Sequence, residues 1–331
     1  MIPASMKAVE FSASGGPDVI CVVERPVPQP GPGEVLVKVA AAGLNRADSQ
    51  QRKGFYPPPP GASDIPGLEI SGTIALRGPG VTEYDDAAQV CALLTGGGYA
   101  EYAVVPVGQL FPVPAKVSLV EAAALPEVAA TVWSNLGMTS KVSSGEWVLI
   151  HGASGGIGTM AVQVCKALGA KPIVTGSSAE KLEYALQLGA VAGINYRKED
   201  FAQRIQEITD GHGADVILDV VGAKYLAQNV ASLALEGRMV VIGLLGGRTG
   251  ELDMGQVLSR RLSIQGTTLR SRSLEAKAEI VAETLRHVWP LIESGEVTVP
   301  VDKTFALEDA VAAHEYFESG EFRGKVLLTI T

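Results

Sequence analysis

Short apolar runs alternate with polar positions through the first third of the chain, as in Val35 to Val39 (VLVKV), and clusters of Pro and Gly punctuate them. Alternation at a period of two buries one face of a strand and wets the other, so residues up to about Val128 read as a mostly β region. Val27 to Gly33 and Pro57 to Gly61 read as loops. From Glu127 the pattern changes. Ala-rich stretches with helical periodicity now alternate with compact apolar runs: WVLIH at 147 to 151, PIVTG at 172 to 176, VILDVV at 216 to 221 and MVVIG at 239 to 243. That alternation predicts a parallel, doubly wound sheet. Leu274 to Glu293 reads as one long helix, after which Val297 to Phe305 and a closing strand, Gly324 to Ile330, return to the β texture of the opening region. The expected fold is therefore α/β in two domains, with residues 1–127 and 268–331 in one and 128–267 in the other. The apparent last strand, Arg261 to Gly266 (RLSIQG), is expected at a sheet edge. Edges invite pairing with a two-fold mate, which predicts a homodimer.

Composition narrows the function. The 331 residues suit about two domains. A net charge of −9 has the wrong sign for gripping phosphate backbones or anionic lipid, so neither nucleic acid nor membrane is an expected partner. No stretch approaches the ~20 uninterrupted apolar residues of a membrane span, and the opening MIPASMKAVEF lacks a basic region followed by an apolar run. Cys21, Cys91 and Cys165 are scattered with no CxxC pair, as in a reducing cytoplasm and without structural zinc.

The candidate chemistry begins where WVLIH runs directly into GASGGIG and then into the helical periodicity of Thr159 to Leu168, which stops at Gly169. Strand, tight glycine turn and helix leave backbone amides at a helix N-terminus free to hold a pyrophosphate, which predicts dinucleotide contacts from Ala153, Ser154, Gly155, Gly156, Ile157 and Gly158. Ala153 takes the place of the first glycine in the common GxGxxG string. In such units an acidic residue ending the second strand hydrogen-bonds the adenosine ribose. Here PIVTG is followed by Ser177 and Ser178, with Lys181 one turn on. Two hydroxyls and an ammonium complement a 2′-phosphate dianion, so NADPH is favoured over NADH.

The stretch Gly145 to Lys166, GEWVLIHGASGGIGTMAVQVCK, resembles the signature of the zinc-free quinone oxidoreductases, the zeta-crystallin branch of the medium-chain dehydrogenase/reductase superfamily. Asn45 to Ser63, NRADSQQRKGFYPPPPGAS, and LRSR at 269 to 272 look like the stress-inducible, tumour-suppressor-regulated branch of that family. The resemblance runs from Met6 onward. It implies a GroES-like catalytic domain, a Rossmann domain and NADPH in a cleft between them, in a homodimer. It further implies 2′-phosphate contacts from Lys181 and Tyr196, a nicotinamide environment near Asn45 and Thr131, and flanking loops that include Gly243, Leu244, Leu269, Arg270, Ser271 and Arg272. Tyr56 matches a tyrosine over the substrate pocket. The sequence adds its own reason for Tyr56, since GFYPPPPG sets an aromatic ring beside a stiffening proline run.

Zinc-dependent relatives take ligands from a cysteine near the Asn45 position and a histidine in a Gly-His-Glu string; here the strings are GLN at 43 to 45 and GLE at 67 to 69. The four histidines, His151, His212, His287 and His314, show no ligand spacing, so no metal is expected. A ketone needs a Lewis acid to stabilise its alkoxide, whereas a quinone that accepts hydride becomes a phenolate with delocalised charge. The reading is an NADPH-dependent quinone reductase, with Tyr56 and Asn45 as its catalytic residues. Two alternatives stay open: a reductase of α,β-unsaturated ketones or aldehydes, and a non-catalytic NADPH-binding or sensor protein.

Overall fold

The computed structural model describes residues 2–330. They form two units. One takes the chain up to Ala130, Leu269–Gly295 and the chain from Val299 onward; the other takes Thr131–Thr268 and Glu296–Thr298.

The first unit opens with β1 (Ser5–Phe11) and β2 (Ile20–Pro26), an antiparallel pair. Next come β3 (Glu34–Gly43), α1 (Arg46–Arg52), β4 (Glu69–Arg77), β5 (Gln89–Leu93), β6 (Tyr102–Pro106) and β7 (Leu110–Pro112). Helix α2 (Pro126–Val132) leads into the second unit. In β6 burial alternates strictly, as a strand with one wet face requires. β3 behaves differently: the alternation read in VLVKV gives way to burial of Val35, Leu36 and Val37 on both faces, and within the run only Lys38 reaches solvent. The reason is its central place, with β4, β6 and the last strand of the chain all paired to it.

The second unit holds β8 (Trp147–His151), α3 (Gly156–Ala167), β9 (Lys171–Gly176), α4 (Ala179–Leu188), β10 (Ala192–Asn195), α5 (Phe201–Ile208), β11 (Ala214–Asp219), α6 (Leu226–Ser232), β12 (Leu233–Val241), α7 (Met254–Ser259) and β13 (Ser263–Gly266). Its sheet is wholly parallel, in the order β10-β9-β8-β11-β12-β13, with β13 at one end. Val148, Leu149 and Ile150 are fully buried because helices cover both faces. The order reverses between β8 and β11, the switch point at which doubly wound sheets place their ligands.

The chain returns to the first unit through α8 (Leu274–His287), α9 (Trp289–Ser294), β14 (Val301–Ala306), α10 (Ala310–Ser319) and β15 (Lys325–Thr329). The single helix expected over Leu274 to Glu293 is broken at Val288. Pro290 has no N–H to donate to the preceding turn and its ring crowds that turn, so the helix restarts with Pro290 in its first turn. β15 lies antiparallel to β3, with Leu328 opposite Ala42.

Candidate active site

In the second unit, β8 ends at His151 and the chain turns through Gly152, whose φ of +95° only glycine adopts freely, into α3. A Cβ on Gly158 would stand 1.8 Å from the Gly152 carbonyl oxygen, so helix and strand come this close only without one. Gly155 is different: a Cβ there would meet no protein atom within 4 Å, so the fold's own packing makes no demand for glycine. Gly155 is also the N-cap of α3 and supplies no side-chain cap, and the first turn carries no acid. Helices α4, α5 and α7 of the same unit are capped by Ser178, Asp200 and Asp253. The first-turn amides of α3 thus remain available to an anion.

Beside this loop, β9 delivers Ser177 and Ser178, both half-buried. The Ser178 Oγ accepts the Lys181 backbone N–H at 3.4 Å, which leaves its hydroxyl proton to donate elsewhere. The Tyr196 N–H donates to the Gly176 carbonyl at 3.2 Å, so Tyr196 is drawn next to the serines, its ring exposed on one side and edge-on to Tyr225 on the other. Ser177, Ser178, Lys181 and Tyr196 therefore gather at the ends of β9 and β10. Thr131 is buried, and its carbonyl accepts from Asn135 Nδ2 at 2.7 Å where α2 passes into a wider helical turn over Trp133–Thr139. Gly243 and Leu244 follow β12; a Cβ on Gly243 would strike the Val220 carbonyl at 2.7 Å, and Leu244 is exposed. Phe201 and Tyr225 lie edge-on to His151, whose nitrogens meet Thr175 Oγ1 and Asn229 Oδ1 at 2.9 and 2.7 Å.

In the first unit Asn45 caps α1, and its N–H donates to Asp48 Oδ2 at 2.7 Å. Asp48 is wholly buried and also accepts from Tyr99 OH at 2.8 Å and the Gly67 N–H at 3.2 Å. Burial pushes its carboxyl up to about 6, against the pull of these hydrogen bonds. The Asn45 side chain donates to Glu69 Oε1 at 3.0 Å. Sequence reasoning missed the centre of this cluster: Lys325 Nζ donates to Leu44 O at 2.8 Å and Asn45 Oδ1 at 2.7 Å, and stands 2.6 Å from Glu69 Oε1. Three oxygens saturate the three N–H donors of the ammonium. The available signal was a lysine opening the otherwise apolar strand KVLLT. Asn45 Oδ1 and Glu69 Oε1 thus meet a side-chain cation, while Glu69 Oε2 accepts the Glu127 N–H at 2.9 Å. Among the described residues no group of three His, Cys, Asp or Glu could hold a metal ion.

Tyr56 follows α1 and is half-buried. Arg270 sits over its ring at 5.4 Å and donates to its carbonyl at 3.3 Å. Burial raises the Tyr56 phenol, the Arg270 charge opposes that rise, and the phenol stays protonated at neutral pH. Arg270 also donates to Gln51 Oε1 at 2.7 Å and Thr95 O at 2.8 Å, tying Leu269 to Arg272 onto the loops after α1 and β5. Helix α1 therefore links the two candidate catalytic residues: Asn45 at its start and, through Gln51 and Arg270, Tyr56 beyond its end.

A parallel six-stranded sheet with an uncapped glycine-loop helix, joined in sequence to a β unit, defines a dehydrogenase or reductase of two domains. Residues 31–115 match the alcohol dehydrogenase GroES-like domain and residues 156–286 the family described as zinc-binding dehydrogenase. Quinone oxidoreductase 1 of Escherichia coli is 33% identical over 323 residues, 97% of this chain and 98% of that protein. A 2-haloacrylate reductase of Burkholderia is 33% identical over 327 residues, with 97% and 98% covered. The crystal structure of the E. coli quinone oxidoreductase complexed with NADPH superimposes with a TM-score of 0.87 at 33% identity, covering 98% of this chain and 99% of that one. The chain belongs to the quinone oxidoreductase branch of the medium-chain dehydrogenase/reductase superfamily.

Proposed function

We propose that the chain is an NADPH-dependent quinone reductase that works without a metal ion. The observation that carries this reading is the Lys325 ammonium, which sets a side-chain cation against Asn45 Oδ1 and Glu69 Oε1. An acceptor whose product charge is already delocalised needs no Lewis acid. The residues 128–267 form the Rossmann NADPH-binding domain and the residues 1–127 and 268–331 the GroES-like catalytic domain. The loop from Ala153 to Gly158 holds the pyrophosphate on the α3 amides: Ser154 and Ile157 contribute N–H groups, and the open space at Gly155 admits it. Ser177, Ser178, Lys181 and Tyr196 take the 2′-phosphate. Thr131, Gly243, Leu244 and the Leu269–Arg272 segment, with Gly156 in the first turn of α3, complete the cofactor surroundings. When bound, NADPH supplies the hydride. Asn45, fixed by Lys325 and Glu69, orients the nicotinamide side of the site. Tyr56, protonated and steadied by Arg270, stacks on a flat acceptor and donates a hydrogen bond to its oxygen.

The 33% identity to a 2-haloacrylate reductase favours a second reading, reduction of conjugated enones, enals or acids by the same residues. Anaerobic NADPH oxidation against ortho-quinones, para-quinones and enones separates the two. Quinones are expected to turn over fastest; faster enone turnover, or none with any acceptor, would overturn the first reading. We further place the chain in the cytoplasm and, from Asn45 to Ser63 and LRSR, in the stress-inducible branch; no helix among the described residues is long and apolar enough to cross a membrane. The free edge of β13, flanked by exposed Met254 and Leu258 of α7, is the proposed homodimer seam. A monomer at micromolar concentration in light scattering would remove it.

A further inference from the structure

The first unit contains a cavity of about 760 Å³ whose wall is charged against the sign of the whole chain. Arg25, Arg270, Arg272 and Lys277 line it, with Glu34 as the one lining carboxylate, and Glu34 Oε2 already accepts the Gly31 N–H at 2.8 Å. Arg25 is spoken for by Asp64 and Glu10, each at 3.0 Å. Arg270 and Lys277 are not: they are 5% and 2% exposed, and neither has an ion-pair partner among the described residues. Arg270 donates to three neutral acceptors, Thr95 O, Tyr56 O and Gln51 Oε1, and Lys277 Nζ to one, Thr95 Oγ1. Two like charges thus converge on Thr95, and the ammonium keeps donors that no described residue takes up.

Buried Asp48 acts on Arg270 through space, and the charge acting on Lys277 is that of Arg270 itself, so a buried pair of cations on this cavity wall favours whatever anion enters. Helix α8 begins at the same wall, where Arg272, Ser273 and Leu274 line the cavity, but the Ser273 hydroxyl already caps the Ala276 N–H and Glu275 stands in the first turn, so the attraction for an anion rests on the side-chain cations. Burial lowers the Lys277 ammonium and the neighbouring Arg270 charge lowers it further. Pro59, Pro60, Ile65 and Leu94 supply apolar wall for a flat body. Arg270 stands over the Tyr56 ring, so one guanidinium is shared by this cavity and the tyrosine assigned to the acceptor.

We propose that this cavity binds the carboxylate or sulfonate of a conjugated aromatic acceptor, with Lys277 as the specificity-determining cation. The inference rests on the reading that the chain reduces such acceptors. The test uses the full chain with NADPH and a matched pair, 1,2-naphthoquinone and its 4-sulfonate. At low ionic strength the wild-type KM is expected about tenfold lower for the sulfonate. Lys277→Met should erase that preference while leaving the neutral quinone within about twofold, and Lys277→Arg should keep it. No preference in the wild type, or an equal shift of both quinones in Lys277→Met, would overturn the proposal. A binding arm needs no turnover: naphthalene-2-sulfonate should raise the melting temperature of the wild type and not of Lys277→Met. If neither quinone is reduced, the reductase reading fails alone, and this arm still decides the cavity. Inorganic sulfate that stabilises as strongly as the aromatic sulfonate would mark a site for free oxyanions and overturn the acceptor assignment.

Discussion

Replacing Lys325 by methionine removes the ammonium that joins Glu69, Asn45 and Leu44 while filling nearly the same space. Lys325 and Glu69 are 3% and 0% exposed, so the carboxylate is left buried without its counter-charge. Breaking a buried pair from one side costs about 3–5 kcal/mol. At about 2–4 °C per kcal/mol for a unit of this size, the melting temperature of the first unit should fall by roughly 6–20 °C. Glu69→Gln should cost a similar amount, because it strands the ammonium instead. The double variant Glu69→Gln/Lys325→Met removes both charges and leaves two neutral acceptors, Leu44 O and Asn45 Oδ1, short of a donor. Its cost should be about 1–3 kcal/mol, less than either single change. Thermal unfolding by calorimetry of all four proteins completes the double-mutant cycle. Asn45 Oδ1 loses its donor in both lysine variants while its N–H still donates to Asp48, so the proposed role of Asn45 beside the nicotinamide predicts a higher NADPH KM in both. Additive losses, or a Lys325→Met protein that melts within 2 °C of the wild type, estimated at about 1 kcal/mol or less, would show that the cluster is no coupled unit.

Lys181→Ala should raise the NADPH KM by about one to two decades and leave NADH nearly untouched, since roughly 1.5–3 kcal/mol rides on a charge-assisted phosphate contact; equal losses with both cofactors in steady-state kinetics would assign Lys181 to packing instead. At Tyr56, the phenylalanine variant keeps the ring and the alanine variant removes it, so a mild first effect and a severe second one on quinone kcat/KM mark stacking, and two severe effects mark hydrogen-bond donation. Wild-type kinetics in Tyr56→Ala, with NADPH binding intact, would take Tyr56 out of the site. Among the described residues His314 has no hydrogen-bond partner at either nitrogen, and it lies edge-on to Phe11 and Tyr99; burial, aided by Arg52 and Lys53, lowers it from 6.5 to about 4. Its stabilising share is whole above the unfolded value of 6.5 and is lost as the pH falls toward 4, about 2 kcal/mol between pH 7 and pH 5. His314→Phe should therefore lose less melting temperature than the wild type over that interval, by roughly 4–8 °C, and parallel pH profiles would refute it.

What the sequence alone determined was whatever a short window can encode. The runs WVLIH and PIVTG became β8 and β9 because unbroken apolar segments have to be covered on both faces, and the glycine loop between β8 and α3 follows from residues adjacent in the chain. The grouping of Ser177, Ser178 and Lys181 is local for the same reason: one strand end and one helix turn carry all three. Tertiary structure decided the rest. Lys325 lies 280 residues from Asn45, and no local pattern tells a lysine opening a strand whether it will face water or a carboxylate. Val35 to Val37 look like an alternating strand until β3 is seen at the centre of its sheet. Lys277 reads as one more solvated helix residue, and only the fold buries it beside Arg270. Periodicity reports the face an element buries, which is a short-range property of the chain. The partner that a buried charge meets is set by which distant segments the core draws together, and that is where the chemistry of this protein is assembled.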